Sequence, residues 1–399
     1  MNNVVIVDAV RTPIGRYKGA LKNVRPDDLG AIVIKALIER NPMLPTSEIE
    51  EVVLGNANQA GEDNRNVARM ATLLAGLPVE IAATTINRLC GSGLDAVNYA
   101  ARAIAMGEGD IYIAGGTESM TRAPLVTAKP NAEFPRGNME LFDTTIGWRF
   151  INPKLQEMYG TDSMPETAEN VAKRFSITRE EQDQFAFQSQ MKAKKAMELG
   201  LLSEEIIPVS VVDRKGNVTI VDTDEHPRAS TTLEGLAKLK PIFPEGTVTA
   251  GNASGINDGA SALLLMSEKK AMQLGLTPLV KYKASAVAGL EPAVMGLGPI
   301  YATKKLVKRM GMTTKDIGLV EINEAFASQS LECIKQLELD PNIVNVNGGA
   351  IAFGHPLGAS GARILTTLIY EMKRKRTEVG LATMCIGVGQ GIATIIENI

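Results

Sequence analysis

Histidine and cysteine are scarce in this chain: 399 residues carry two histidines and three cysteines. With His only at 226 and 355 and no Cys-x-x-Cys pair, the sequence argues against a structural zinc site, and no metal is expected. Cys90, Cys333 and Cys385 are far apart and odd in number, which argues against a disulfide framework and for a reducing, cytoplasmic setting. No apolar run approaches the roughly 18 residues of a membrane span. The first eight residues enter a strand-like run without a basic or apolar leader pattern. A net charge of −3 gives no general attraction for nucleic acid or anionic membrane. What is present, 45% hydrophobic and 22% charged residues, is the composition of a globular protein. The length exceeds one ordinary core and predicts two or three packed units.

Over the first 120 residues short apolar runs alternate with helical stretches. Residues 4–8, 51–54 and 111–114 read as strands. Leu94, Val97, Ala101 and Ile104 recur at three- and four-residue spacing, which predicts a helix with a buried stripe. This alternation predicts an α/β fold on a mostly parallel sheet covered on both faces. From about 121 to 250, prolines, single aromatics and charges break the pattern. Thr178-Arg179-Glu180-Glu181 is a capping box for a helix running toward Met197, so this part reads as an insertion with its own helices. The alternation returns near 280, with strands at 319–322, 381–384 and 392–396, and a helix opened by Asn323-Glu324.

The two alternating parts repeat one another. Cys90-Gly91-Ser92-Gly93 starts a helix that leads to a strand and then to a turn at Gly115-Gly116. His355-Pro356-Leu357-Gly358 starts a helix that leads to a strand and then to Cys385-Ile386-Gly387. The common order predicts two similar halves related by a pseudo-twofold, with helix N-termini converging on one site.

Most free cysteines are small buried core residues. Cys90 differs, because Gly91 and Gly93 leave room around it, and a helix N-terminus with a nearby imidazole lowers a thiol pKa from about 8.5. His355, flanked by glycines at a helix start, is expected neutral and able to act as a base. Cys385 precedes Gly387, Gly389 and Gly391, whose backbone N–H groups are free to face an oxyanion. A buried cysteine ending a strand fits that local sequence equally. Asn323 reads locally as an N-cap, with an amide that holds a water or oxyanion as the alternative. Cys333 lies mid-helix on an apolar stripe and is structural. His226-Pro227-Arg228 reads as a surface turn and Met164-Pro165-Glu166 as a helix start. Residues 251–259 resemble a phosphate-cradling turn but lack a P-loop ending.

Cysteine, histidine and second cysteine, in these glycine-rich settings and this order, resemble the thiolases. The likeness runs from Asp8-Ala9-Val10-Arg11-Thr12-Pro13, through Gly115-Gly116-Thr117-Glu118-Ser119-Met120, to Gly387-Val388-Gly389-Gln390-Gly391. The stretches 58–66 and 143–150 are most similar to the branch that contains bacterial 3-oxoadipyl-CoA and 3-ketoacyl-CoA thiolases. The resemblance implies a thiolase-like fold: residues 1–120 plus 251–275 as one half, 276–399 as the other, and 121–250 as an inserted loop domain for CoA and oligomer contacts. It implies cleavage of 3-ketoacyl-CoA by CoA, or the reverse Claisen condensation, through an acyl-Cys90 intermediate and with no permanently bound cofactor. His355 would take the Cys90 proton, and Cys385 would act as acid/base at the acetyl carbon. Asn323, through a water, and His355 would form one oxyanion hole; the N–H groups of Cys90 and Gly387 would form the other. CoA contacts map to Arg228, Ser254, Phe243 and the Met164–Phe326 pair. Ser163 stands where biosynthetic relatives carry His, and Val388 where many carry Gly. Family members are dimers or tetramers, so a homo-oligomer is expected.

Other readings stand beside this one: an acetoacetyl-selective acetyltransferase, a decarboxylating condensing enzyme, and a non-catalytic acyl-CoA-binding protein on the same fold. The second uses a cysteine with two histidines, or with a histidine and an asparagine, and only His226, in a polar turn, remains as a second histidine. A dicarboxylic substrate needs a cation near its far end. Arg65 and Arg149 lie in the branch-like stretches and either would serve, although long charged residues are mostly exposed, and a surface or subunit-contact role is favoured for both.

Overall fold

The computed structural model describes residues 2–134 and 136–399. The first part of the chain supplies β1 (Val4–Arg11), α1 (Pro26–Arg40), β2 (Glu51–Gly55), β3 (Ala82–Ile86), α2 (Ser92–Met106) and β4 (Ile111–Ser119). An excursion follows, carrying α3 (Met164–Phe175) and α4 (Arg179–Glu198), before the chain returns as β5 (Asn257–Ser267). The remainder supplies β6 (Val280–Gly289), α5 (Gly298–Met310), β7 (Leu319–Ile322), α6 (Ala327–Gln336), α7 (Leu357–Lys375), β8 (Val379–Ile386) and β9 (Gln390–Asn398).

One sheet runs β3-β2-β4-β5-β1-β6-β9-β8-β7. Read outward from the central β1–β6 pair, both sides match: β5 with β9, β4 with β8, β2 with β7. The place of β3 is taken on the other side by a single parallel bridge between Val320 and Val344. The repeat legible in the sequence is therefore a repeat of sheet order. The expected strand directions need correction. Only the outer ladders, β2–β3, β2–β4 and β7–β8, run parallel among the described residues. The ladders from β4 through β5, β1, β6 and β9 to β8 are antiparallel. The tight link Gly387-Val388-Gly389 between β8 and β9 leaves no room for a crossover helix, so it enforces an antiparallel pair.

Leu94, Val97, Ala101 and Ile104 are fully buried on α2, which packs directly against α7. Glycine makes that approach possible. A Cβ on Gly93 would lie 2.6 Å from the Gly358 carbonyl oxygen, and one on Gly116 would lie 2.0 Å from the same atom. Gly93 thus serves helix packing rather than access to the thiol. Gly115 and Gly116 are not a turn: they lie inside β4, paired with Ala262 and Ser261. In the excursion α4 starts at the expected capping box, where Glu181 N–H donates to Thr178 Oγ1 (3.2 Å) and Thr178 N–H to Glu181 Oε2 (2.7 Å). The helix after β7 begins only at Ala327, so Asn323 is not its N-cap. No helix among the described residues is long and apolar enough to cross a membrane.

Candidate active site

Cys90 stands on a strained elbow immediately before α2. Leu89 has a φ of 47°, a left-handed conformation rare for a branched residue. Local hydrogen bonds hold it there. Leu89 N–H donates to Asn87 Oδ1 (2.9 Å), Ser92 Oγ donates to the Leu89 carbonyl (2.6 Å), and Arg88 N–H donates to Ser92 Oγ (2.9 Å). The Arg88–Asp95 ion pair at 2.8 Å ties the elbow to α2. The backbone N–H groups of Gly387 and of Cys90 itself favour negative charge on the Cys90 sulfur.

Those donors do not produce the expected low thiol pKa. Burial outweighs them and pushes Cys90 up to about 11, with the nearby Glu118 carboxylate adding to the rise. The resting group is the neutral thiol. We expect alkylation of Cys90 by iodoacetamide to quicken about tenfold per pH unit between about pH 6 and 9, followed by peptide mass spectrometry. A plateau below pH 7 would instead reveal a preformed thiolate.

His355 lies between the Gly354 turn and α7. Its N–H donates to Asn257 Oδ1 (2.9 Å), and its Nδ1 meets Ser360 Oγ at 2.6 Å. Ser360 donates its own hydrogen to the Pro356 carbonyl (3.0 Å). Nδ1 therefore carries the ring proton, and Nε2 keeps its lone pair. Nε2 lies 3.4 Å from Asn323 Nδ2. Burial first, and then the nearby Arg363, push the imidazole down to about 3, so the ring is neutral as expected, through burial more than through the helix terminus. Asn323 Oδ1 is buried without a partner among the described residues. No hydrogen bond joins Cys90 to His355 among the described residues.

Cys385 lies on β8 opposite Gly391, buried in an apolar cluster with Met164 and Phe326. Its thiol is held well above the usual range by burial first and then by Cys90 and Cys333. Cys333, buried on α6, donates to the Gly296 carbonyl at 3.4 Å and is structural. Val388 has a φ of 61°, an unusual left-handed conformation for a β-branched residue, on the hairpin that presents Gly387.

Sequence reading passed over Glu118, which the structure places in the wall beside Cys90. Its carboxylate accepts N–H bonds from Ala57 (2.8 Å), Asn58 (3.2 Å) and Gly358 (2.8 Å). It joins the loop after β2 to the start of α7, where negative charge is favoured. Burial nevertheless raises it to about 7. A glutamate following Gly-Gly-Thr carries no local signal of that role.

The residues expected at CoA divide. Met164 and Phe326 meet beside Cys385, and Ser254 joins them through its N–H bond to the Ala325 carbonyl (2.9 Å). Arg228 lies apart, exposed, in a cleft with Arg16, Tyr17, Glu225 and His226. Phe243 lines another cleft, with Glu166, Glu169 and Lys173. His226 is half-buried rather than on an open turn; its Nδ1 is 3.4 Å from Asn257, the residue that holds the His355 backbone. Burial pushes His226 down to about 4.

Cys90, Gly387 and Met164 share a cavity of about 190 Å³ with Glu118, Thr145, Trp148 and Arg149. Arg65 is exposed and is not part of that wall. Arg65 is thus at the surface of the chain, whereas Arg149 is half-buried in the cavity wall.

A two-fold repeated α/β sheet whose two elbows bring thiol and imidazole inward defines an acyltransferase of the thiolase fold. The chain belongs to the thiolase family: residues 4–269 match the thiolase N-terminal domain and residues 276–398 the thiolase C-terminal domain. It is 57% identical over 402 residues to a beta-ketoadipyl-CoA thiolase of Acinetobacter baylyi, covering 100% of both chains. It is 56% identical, with the same coverage, to the 3-oxoadipyl-CoA/3-oxo-5,6-dehydrosuberyl-CoA thiolase of Escherichia coli K12. The solved acetyl-CoA acetyltransferase of Bacillus anthracis superposes with a TM-score of 0.93 at 42% identity, covering 100% of this chain and 99% of that one. The protein is a CoA-dependent thiolase that cleaves 3-ketoacyl-CoA, with CoA thioesters as substrates and no permanently bound cofactor.

Proposed function

We propose that the physiological substrate is 3-oxoadipyl-CoA, cleaved by CoA to succinyl-CoA and acetyl-CoA in the breakdown of aromatic compounds. Full-length identity to relatives named for that substrate carries this reading.

In the proposed mechanism Cys90 Sγ attacks the C3 ketone, and its proton passes to the unprotonated Nε2 of His355. The C2–C3 bond then breaks, and its electron pair flows to the thioester oxygen of the leaving acetyl-CoA enolate. Asn323, through a water, and the now protonated His355 stabilise that oxygen. Cys385 gives its proton to C2 and releases acetyl-CoA. CoA thiol next gives its proton to the Cys385 thiolate and attacks the acyl-Cys90 thioester, and the Cys90 sulfur leaves and takes back the proton held on His355, which restores both thiols and the neutral imidazole. The Cys90 and Gly387 N–H groups, which favour negative charge at the Cys90 sulfur, face the oxyanion of this step. The raised Cys90 and lowered His355 pKa values support a neutral pair, in which the proton moves only as the S–C bond forms. Covalent transfer in two steps predicts ping-pong kinetics.

Residues 121–250 serve in this reading as the inserted loop domain, flanked by halves at 1–120 plus 251–275 and at 276–399. Met164, Phe326 and Ser254 take the pantetheine end of CoA beside Cys385. Arg228 and, on the outer side, Phe243 serve its far end. The working form is a homo-oligomer in the cytoplasm, a setting in which three free cysteines persist.

Steady-state thiolysis of 3-oxoadipyl-CoA, acetoacetyl-CoA and a long-chain 3-ketoacyl-CoA, side by side, tests the substrate. We expect kcat/KM to be highest for 3-oxoadipyl-CoA, by about tenfold or more, one such factor corresponding to about 1.4 kcal/mol of transition-state binding. A preference for either of the others would assign the enzyme to acetyl or fatty-acyl chemistry.

A further inference from the structure

The inference below rests on the 3-oxoadipyl reading and concerns how the far end of that substrate is held. We propose that Arg149 is the counter-ion for the terminal carboxylate of the acyl chain, in the cavity that opens on Cys90.

Arg149 is the one cation among the described residues that line this cavity, and Glu118 is the one acid. The Glu118 carboxylate is turned to the Ala57, Asn58 and Gly358 N–H groups and makes no ion pair with the arginine among the described residues. The Arg149 guanidinium makes one long hydrogen bond, 3.4 Å to the Asn58 carbonyl, and no carboxylate lies within 4.0 Å of it among the described residues. Three arginines of this chain show the contrasting case: Arg11 is paired with Glu205 and Asp224, Arg88 with Asp95, and Arg122 with Glu62. A half-buried guanidinium with most of its five donors unspent is a site for a planar anion.

The segment that carries Arg149 is held in place. Asn58 Nδ2 donates to the Thr144 carbonyl (2.8 Å), Trp148 Nε1 donates to the Asp162 carbonyl (3.2 Å), and the Phe142 and Phe150 rings pack 5.1 Å apart. The backbone that carries the fork is therefore positioned before substrate arrives, and less chain entropy is lost on binding. The chemistry of the substrate fits this cavity. Once the ketone carbon is bonded to Cys90, two methylenes separate it from the carboxyl carbon, so both ends of the succinyl group fall within a single small space. The other groups facing it, Thr145, Ile146, Trp148 and Met164, offer no charge. A methyl-ended chain of equal length would leave the guanidinium unpaired and excluded from water, which is how a polar site rejects an analogue that lacks its partner.

The test compares 3-oxoadipyl-CoA with 3-oxohexanoyl-CoA, which differ only in a terminal carboxylate against a methyl. Their kcat/KM ratio is measured in the unaltered enzyme, in Arg149→Met and in Arg149→Lys. Arg149→Met is expected to lower the ratio about 100-fold, or about 2.7 kcal/mol at 1.36 kcal/mol per tenfold. Arg149→Lys keeps the charge without the fork and is expected to lower it less, about 10-fold. A ratio unchanged in both variants, with the two substrates losing equally, would overturn the inference and leave the substrate reading intact. An unaltered enzyme that does not prefer 3-oxoadipyl-CoA would overturn the substrate reading itself, before any variant is made. Should Arg149→Met not fold, the Arg149→Lys ratio alone decides.

Discussion

Cys90→Ser is expected to lower thiolysis by about 10,000-fold or more, the scale at which loss of a nucleophile leaves only binding and oxyanion contributions. The reasoning starts from the bond exchanged. Thioester for thioester is nearly an even trade, so acyl-Cys90 forms and discharges without a deep well. An oxygen ester on serine is a poorer acceptor for CoA thiol, and the hydroxyl is far harder to deprotonate than even the raised Cys90 thiol. A base held down to about 3 does not bridge that gap. The substitution is close to isosteric, and Ser would sit on the same elbow held by Asn87 and Ser92, so CoA binding should persist. Intact-protein mass spectrometry after mixing with acyl-CoA should show an adduct on the unaltered protein and none on the variant, with calorimetry giving similar CoA affinity. Turnover within tenfold of the unaltered enzyme would remove Cys90 from the nucleophile's role.

Several parts of this site are written plainly in the chain because backbone geometry demands particular residue types. Cys90, His355 and Cys385 each stand beside glycines that the structure uses for close packing or for left-handed backbone, as at Gly93, Gly354 and Gly389. The paired order of elbow, helix and strand is likewise visible, because both halves repeat it. Strand direction is less legible. Periodicity reports that a segment is buried, not which way its neighbour runs, and the Gly387–Gly389 link that reverses the chain also looks like an oxyanion loop. The Cys90 pKa is hard to read for a related reason: a helix terminus is a local feature, whereas the burial that prevails comes from a core built of segments remote in sequence. Glu118 and Arg149 were hidden more completely. One is a carboxylate inside a strand, whose partners at 57, 58 and 358 come from two other segments. The other is a cation in an aperiodic excursion, where no pattern tells a wall residue from a surface one.

Cys385→Ala provides the sharper test of mechanism, because it separates the two chemical steps. Acyl transfer between CoA and Cys90 needs no proton at carbon. Breaking or making the C2–C3 bond does, and the buried Cys385 thiol, kept protonated by its surroundings and by Cys90, is the group proposed to carry it. The variant is expected to lose about 1,000-fold in thiolysis of a 3-ketoacyl-CoA, within the range set by removal of a positioned general acid. It should still take an acyl group on Cys90 from succinyl-CoA or acetyl-CoA at a rate within about fivefold. Exchange of deuterium from solvent into the acetyl-CoA methyl group should vanish alongside thiolysis, because both need the same proton transfer. Removing one sulfur from the cluster of Met164, Phe326 and Cys385 costs a small cavity, about 1 kcal/mol, which a thermal melt would register separately from activity. If acylation of Cys90 fell as far as thiolysis, the loss would lie in substrate binding or site collapse, and Cys385 would not be the acid. If exchange survived while thiolysis failed, another group must deliver the proton, and His355, protonated once it has taken the Cys90 proton, is the candidate.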